Sequence, residues 1–177
     1  SYLGIDIGAG GIKVVELMNE KGRAKLLTYG FAEHAVAKVG ENLLDSPEAA
    51  ASLVKEICKR AKTSTVKVVS GLPVSSVFSS VVTVPVATGK ALSAAVELQA
   101  KKLIPMPLEE MILETTPIPD TSGDAKKANY SRLLLTGASK SLVKKYIDVF
   151  KLAGLQLLSL ETEAFALIRS LIGRDRA

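Results

Sequence analysis

The first part of the chain alternates short apolar runs, rich in β-branched residues, with glycine-containing turns. Runs at 2–7, 12–18 and 24–34 are joined by the turns at 8–11 and 19–22. Runs of this length and composition, bounded by such turns, predict β-strands connected as hairpins. The amino-terminal segment is therefore predicted to be a three-stranded meander.

Helical spacing of apolar residues begins after residue 45. Ser46 is a favourable N-cap, and Pro47 suits the first helical position because its missing N–H is not needed there. The apolar positions that follow recur every three or four residues, which predicts a helix with one buried face. Further helices are predicted at 90–104, 139–153 and 161–172, and strands at 66–72, 77–86, 111–117, 130–138 and 155–160.

The order of these elements indicates an α/β protein built in two parts. The second half of the chain follows the order helix, strand, strand, helix, strand, with a polar, turn-rich loop at 119–124 between the first two strands. This order suits a small α+β subdomain inserted into the first one.

The composition indicates a globular protein of a reducing compartment. Apolar residues make up 47% of the 177 residues, enough for a packed core. The single cysteine, Cys58, excludes an internal disulfide. No run approaches the ~18 apolar residues needed to span a bilayer, and residues 1–4 lack the features of a signal peptide. We therefore expect a cytoplasmic protein.

The net charge of +5 does not indicate nucleic-acid binding. The basic residues are scattered, and no aromatic residues interleave with them as they would on a single-strand binding face. Such a surface is better suited to solvent or to anionic lipid head groups. His34 has no visible metal partners and is assigned a structural or exposed role, and Cys58 is expected to be a small core residue.

The segment 4–13, GIDIGAGGIK, carries the most chemical information. A glycine-rich loop that binds phosphate in a P-loop or dinucleotide fold lies between a strand and a helix. Here the loop lies between two predicted strands, which leaves a hairpin whose backbone N–H groups can bind an anion. Asp6 would repel a bare phosphate unless a hydrated Mg²⁺ lay between them. A glycine-rich turn with an incidental aspartate explains the same residues.

The segment resembles the first phosphate loop of the actin, Hsp70 and sugar-kinase superfamily. Five further segments narrow the resemblance to the PilM family of type IV pilus assembly proteins. The most specific is 98–110, LQAKKLIPMPLEE, in which a helix ends in Ala-Lys-Lys before Ile-Pro, a second proline and paired glutamates. The others are 13–17, KVVEL; 71–73, GLP, with Ser79 nearby; and 153–155 with 160–167, AGL and LETEAFAL.

This resemblance implies an actin-like, ribonuclease H-like α/β fold with nucleotide bound between two lobes. Residues 1–84 and 156–177 would form subdomain IA, and 85–155 the inserted α+β subdomain IC. ATP and Mg²⁺ are the implied cofactors, with Asp6 as the metal-associated residue. The residues implied to form the first phosphate loop are Asp6, Gly8, Ala9, Gly10, Gly11 and Lys13.

Glu161 aligns with an acidic residue that positions Mg²⁺ or the attacking water in related ATPases, and is thus the implied catalytic residue. An equally good interpretation is that Glu161 lies in the first turn of the last predicted helix, where the helix dipole favours an acidic residue.

Two departures from the family pattern affect the expected activity. Ala9, Gly10 and Gly11 have no hydroxyl, although family members often carry Ser or Thr in this loop. The chain ends at Ala177, before the second phosphate strand, the adenosine pocket and the second lobe would be reached. We therefore expect poor ATP binding, negligible hydrolysis and self-association through an apolar face left exposed.

The resemblance also implies a partner, the cytoplasmic N-terminal peptide of a PilN-like inner-membrane protein, and so a place at the inner face of the cytoplasmic membrane. The peptide groove is expected near Leu72, Pro73 and Val74 and along Leu98, Lys101 and Lys102. The main alternative is a cell-division filament protein resembling FtsA. A sugar or acid kinase is disfavoured because no paired carboxylates or arginine cluster are present.

Overall fold

The computed structural model describes residues 1–8, 10–33, 43–119 and 129–172. It contains two compact units, one of Ser1–Val74 with Val143–Ala177 and the other of Ser75–Leu142. The strands are β1 Tyr2–Gly8, β2 Gly11–Glu20, β3 Arg23–Glu33, β4 Lys67–Leu72, β5 Val77–Pro85, β6 Met111–Pro117, β7 Tyr130–Ser139 and β8 Gln156–Thr162. The α-helices are α1 Pro47–Ala61, α2 Gly89–Leu103, α3 Lys140–Ala153 and α4 Glu163–Ile172.

The first unit is built on a five-stranded sheet in the order β3-β2-β1-β4-β8. The first three strands form the predicted meander of antiparallel hairpins. β4 then pairs in parallel with β1, and β8 pairs in parallel with β4. Because β1, β4 and β8 run in the same direction, their carboxyl ends meet at one edge of the sheet, where α/β proteins bind ligands.

One face of this sheet carries the core of the first unit. Strict alternation along β1 buries Leu3, Ile5 and Ile7, and α1 packs on β2 and β3. Gly30 of β3 makes this packing possible, since a Cβ there would lie 2.8 Å from the Cγ2 atom of Ile57. The large residues buried on α3 are Tyr146, Val149 and Phe150.

The second unit is a three-stranded antiparallel sheet in the order β5-β7-β6 with α2 packed against it. Its core consists of residues from all four elements: Val82, Val84, Val96, Ala100, Ile104, Met111, Leu133 and Leu135. β5 pairs with β7 along its whole length, from Val77 opposite Ala138 to Pro85 opposite Tyr130.

The division into compact units differs from the predicted subdomain bounds at 84/85 and 155/156. Since β5 belongs to the sheet of the second unit, that unit begins at Ser75. At the other end the boundary falls within the first turn of α3, so most of this helix belongs to the first unit. The last strand also extends to Thr162, and the predicted helix start at residue 161 is therefore wrong by two residues.

Some predictions lie outside the described residues, namely those on Ala9, on His34, on most of the loop at 119–124 and on the end of the chain after Ile172. Cys58 is half-buried, and burial raises the pKa of its thiol. Within the described ranges, no helix combines the length and apolar composition needed to cross a bilayer.

Candidate functional site

The glycine segment forms a tight hairpin between two strands, as predicted. Gly8, the last residue of β1, pairs with Gly11, the first residue of β2. Gly11 has a φ of +134°, and a Cβ there would lie only 2.1 Å from the carbonyl oxygen of Ala32. The β2–β3 packing alone therefore requires glycine at position 11. At Gly10, by contrast, no atom lies within 4 Å of an added Cβ, so packing does not explain that glycine.

Asp6 and Lys13 face each other across the same hairpin. They are register partners in β1 and β2, and Lys13 Nζ lies 3.0 Å from Asp6 Oδ2. The two side chains are 42% and 70% exposed, respectively. An exposed pair of this kind contributes only about 0–1 kcal/mol to stability. The ammonium group is accessible to an anion, and the carboxylate to a hydrated cation.

Asp6, Gly71 and Glu161 lie in one row across the parallel strands. Ile5 pairs with Ser70, so the next residues, Asp6 and Gly71, share a row, and Gly71 pairs directly with Glu161. Residues in one row point to the same face, and adjacent strands are ~4.8 Å apart. The backbones of Asp6 and Glu161 are thus about 10 Å apart. The glycine between them has no side chain of its own, and the Glu163 side chain packs beside it, with its Cγ atom 3.6 Å from where a Cβ of Gly71 would lie.

Glu161 is placed by the sheet rather than by a helix. It is the penultimate residue of β8, and its Oε1 atom is 2.5 Å from Arg169 Nη2 of α4. The interpretation of Glu161 as a first-turn helix residue is therefore wrong. Glu163 takes that position instead, and its Oε2 atom accepts a hydrogen bond of 3.0 Å from the backbone N–H of Val74.

Tyr146, which the sequence analysis missed, places a buried hydroxyl group near these carboxylates. The residue is fully buried in α3, and its hydroxyl has no hydrogen-bond partner among the described residues. Burial, and secondarily the charges of Asp6 and Glu163, raise the pKa of this phenol. The hydroxyl therefore stays protonated and can donate a hydrogen bond. Helical spacing identifies Tyr146 as a core position, but only the fold shows what lies around it.

These residues do not form a metal cage made of protein side chains alone. In the part of the chain that the structure describes, no group of three or more His, Cys, Asp or Glu residues is placed to hold a metal ion. One or two carboxylates at an open edge do fit Mg²⁺, which usually keeps several waters and is held largely by substrate phosphates. The site fits a hydrated magnesium phosphate better than a tightly bound structural ion.

The residues predicted to contact a peptide fall in both units. In the first unit, Leu72 is buried at the end of β4 and offers little surface, whereas Val74 is 57% exposed; Pro73 is half-buried. In the second unit, α2 exposes Leu98, Lys101 and Lys102, which share one face of the helix because they are three and four residues apart. Lys101 also forms an ion pair of 2.8 Å with Glu97.

Residues 4–174 match the family model described as type IV pilus assembly protein PilM. The chain belongs to the PilM family. This result favours the first of the two functional hypotheses over a division protein resembling FtsA. The family is one of type IV pilus assembly proteins.

Solved structures confirm the predicted actin-like α/β fold. A chain of a PilM-PilN type IV pilus biogenesis complex superposes with a TM-score of 0.82 at 24% identity, covering 96% of this chain and 49% of that one. The cytoplasmic domain of EpsL, an inner membrane component of the type II secretion system of Vibrio cholerae, superposes with a TM-score of 0.61 at 14% identity. That match covers 93% of this chain and 58% of EpsL's. The chain thus spans about half the length of these relatives.

Proposed function

We propose that this chain is the peptide-binding part of a PilM-family scaffold at the inner face of the cytoplasmic membrane. Its partner is the cytoplasmic N-terminal peptide of a PilN-like inner-membrane protein. The observation that carries this proposal is the family match over residues 4–174. The high structural similarity to a protein solved in a PilM-PilN complex supports it.

Each unit has exposed residues that suit an amphipathic peptide carrying acidic groups. Leu98 and Val74 are 58% and 57% exposed, so both side chains are accessible to a partner. Lys101 and Lys102 add two positive charges beside Leu98 on α2. A peptide with an apolar anchor and a carboxylate close by would pair with the face of α2 that carries Leu98, Lys101 and Lys102.

The test is a titration with a synthetic peptide of the first ~15 residues of the cognate PilN-like protein, followed by calorimetry or fluorescence anisotropy. We expect saturable binding that is lost when the peptide is scrambled. The variant Lys101→Glu/Lys102→Glu should weaken binding about ten-fold or more. The matched control, Lys59→Glu/Arg60→Glu, makes the same charge change on the exposed face of α1 and should leave binding unchanged. Absence of binding to both this chain and the full-length protein would contradict the proposal.

We further propose that the edge of the first sheet is one half of a site for ATP and Mg²⁺. The hairpin turn between Gly8 and Gly11 would offer backbone N–H groups to phosphate, and Lys13 would supply a positive charge. Asp6 and Glu161 would orient the waters of the metal ion, whose charge offsets that of the phosphates. The position of Asp6 and Glu161 in one row at the carboxyl ends of the parallel strands supports this proposal.

This half of the site should bind nucleotide weakly and hydrolyse it negligibly. The hairpin has no hydroxyl side chain. In addition, this chain spans only 49% of the PilM chain that it matches. We expect the full-length protein to bind ATP at least ten-fold more tightly than this chain. In the full-length protein, Asp6→Asn should weaken Mg-dependent binding, whereas Asp148→Asn, at an exposed pair on α3, should not. Equal affinity of wild type and Asp6→Asn would contradict this assignment.

A further inference from the structure

Basic residues that are far apart in the sequence are brought together at one end of the first sheet. The parallel strands β1, β4 and β8 begin at this end, with Tyr2, Lys67 and Gln156. Because β2 runs antiparallel to β1, β2 ends there at Glu20, and β3 begins there at Arg23. We call this end of the sheet, where these five residues lie, the amino edge.

Two helices also end at the amino edge. The hydroxyl of Thr28 donates a hydrogen bond of 2.8 Å to the carbonyl of Ala61, the last residue of α1. Thr28 lies in one row with Leu3, the second residue of β1. After α3, the backbone N–H of Gln156 donates a hydrogen bond of 2.8 Å to the carbonyl of Val66, just before β4. The carboxyl ends of both helices therefore lie beside the starts of the parallel strands.

The amino edge carries a strong excess of positive charge. Six of its basic side chains are exposed and form no ion pair with a described residue: Lys21, Arg23, Lys59, Lys62, Lys67 and Lys151. Lys25 and Arg60 are paired with Glu20 and Glu56. Glu16, the remaining acidic residue near this edge in the described part of the first unit, is buried with its carboxylate hydrogen-bonded. The two helix ends add only about half a negative charge each.

Exposed apolar side chains lie among these positive charges. Tyr2, Val66 and Leu152 are exposed at the start of β1, just before β4 and near the end of α3. At the surface of an anionic bilayer, lysine and arginine contact the head-group phosphates, and apolar side chains enter the boundary with the acyl chains. The amino edge combines both kinds of side chain on one surface.

We propose that the amino edge of the first sheet binds directly to the anionic surface of a phospholipid bilayer. Single-stranded nucleic acid would need aromatic side chains on which bases can stack. The aromatic residue that this edge exposes, Tyr2, is covered by Lys67, whose Nζ atom lies 5.9 Å from the ring centroid. Asp6 and Glu161 lie at the other end of the strands, about 20 Å away, and stay open to nucleotide. The proposal depends on neither the peptide partner nor the nucleotide.

Flotation with lipid vesicles tests whether the chain binds an anionic bilayer. The whole chain is mixed with vesicles of phosphatidylcholine that contain either about 30% phosphatidylglycerol or none. We expect binding to the anionic vesicles to be about ten-fold tighter or more. Most of it should be lost in about 1 M NaCl, because the Debye length falls from about 10 Å at 0.1 M to about 3 Å. Equal binding to both kinds of vesicle, or binding to neither, would overturn the proposal.

Charge reversal locates the contact on the protein. Lys67→Glu/Lys151→Glu should weaken binding to the anionic vesicles about ten-fold or more. The matched control, Lys90→Glu/Lys140→Glu, makes the same change of net charge at two exposed lysines that form no ion pair with a described residue. Lys140 begins α3 and is three turns away from Lys151, so the control should bind within about two-fold of wild type. Equal losses in both variants would refute the assignment to the amino edge.

A single tryptophan distinguishes contact with the bilayer from binding of a soluble polyanion. The chain contains no tryptophan, so Leu152→Trp introduces one reporter at the amino edge. Its emission should shift to the blue with the anionic vesicles, because the indole ring leaves water for the bilayer interface. Phe31→Trp, in the row of Lys13 and Asp6 at the other end of the sheet, should show no shift. Unshifted emission of vesicle-bound Leu152→Trp, or tighter binding to a single-stranded oligonucleotide than to the vesicles, would contradict a membrane contact.

Discussion

At the scale of single residues, Gly10 and Gly11 are adjacent but are subject to different constraints. Gly11 has a positive φ and a backbone carbonyl 2.1 Å from where its Cβ would lie, whereas the surroundings of Gly10 are open. We expect Gly11→Ala to lower the free energy of unfolding by about 3 kcal/mol or more. Gly10→Ala should change it by less than about 1 kcal/mol. Urea denaturation of both variants measures the difference.

The same pair separates folding from ligand binding. If Gly10 is present so that phosphate can approach the backbone, Gly10→Ala in the full-length protein should fold normally and bind ATP less tightly. Equal stability losses for both variants would show instead that the whole hairpin is a packing feature.

Glu16 is a buried charge that holds β2 to the segment between α1 and β4. It is 1% exposed, and its carboxylate accepts hydrogen bonds from the backbone N–H of Ser64 at 2.8 Å and from the Ser64 hydroxyl at 2.5 Å. Burial by itself raises the pKa of Glu16, but the hydrogen bonds from Ser64, together with a smaller contribution from the amino terminus at Ser1, outweigh it, and the pKa lies below its ordinary value of 4.5. The folded state therefore favours the ionised carboxylate.

We expect Glu16→Gln to destabilise the protein by about 1–3 kcal/mol at pH 7. A lowered folded pKa means that the carboxylate's contribution is present above pH 4.5, the ordinary value, and is lost as the pH falls through the folded pKa. The difference between wild type and variant should thus shrink below that pH. Urea midpoints measured at pH 7, 5 and 3.5 test this. A difference that grows on acidification would contradict the assigned direction of the pKa shift.

At the scale of elements, the local pattern of the chain was sufficient for most strands and helices. The alternation in β1 and the capping residues of α1 are contained within a few residues, so their bounds are predicted closely. The end of β8 is not determined by nearby residues, because Glu161 is held in the strand by pairing with Gly71, ninety positions away. For the same reason the row formed by Asp6, Gly71 and Glu161 could not be found from spacing.

Two helices end with the same backbone arrangement but with different residues. In α1, Lys62 has a φ of 53°, and Thr63 N–H donates to the carbonyl of Cys58. In α3, Gly154 has a φ of 74°, and Leu155 N–H donates to the carbonyl of Phe150. Left-handed backbone at this position favours glycine, since other residues place a Cβ too close to the carbonyl.

We therefore expect Lys62→Gly to stabilise the protein by about 0.5–1 kcal/mol and Gly154→Ala to destabilise it by about 1 kcal/mol. An added Cβ at Gly154 would contact nothing within 4 Å, so this substitution tests backbone conformation alone. Thermal unfolding should show midpoint shifts of about 2–4 °C in opposite directions. Shifts of the same sign would show that the left-handed backbone is not what determines stability at these two helix ends.

At the scale of the whole molecule, the two compact units differ in how the chain builds them. The first is assembled from two separate stretches, Ser1–Val74 and Val143–Ala177, whereas the second is the continuous segment Ser75–Leu142. The order of elements in the sequence predicted an inserted subdomain. The bounds of the compact unit depend on contacts between distant residues, namely the pairing of β5 with β7 at its start and the packing of most of α3 in the first unit at its end.

A continuous segment with its own core should fold when it is excised. We expect the fragment 75–142 to unfold cooperatively in urea, with a stability of only a few kcal/mol because a domain of this size buries little surface. Leu135 is fully buried in the core of this unit, so Leu135→Ala, which costs about 2–5 kcal/mol, should abolish folding. Val81→Ala, at a position 48% exposed, should be tolerated. A fragment that is unfolded without substitution would show that the core of Ser75–Leu142 depends on the remainder of the chain.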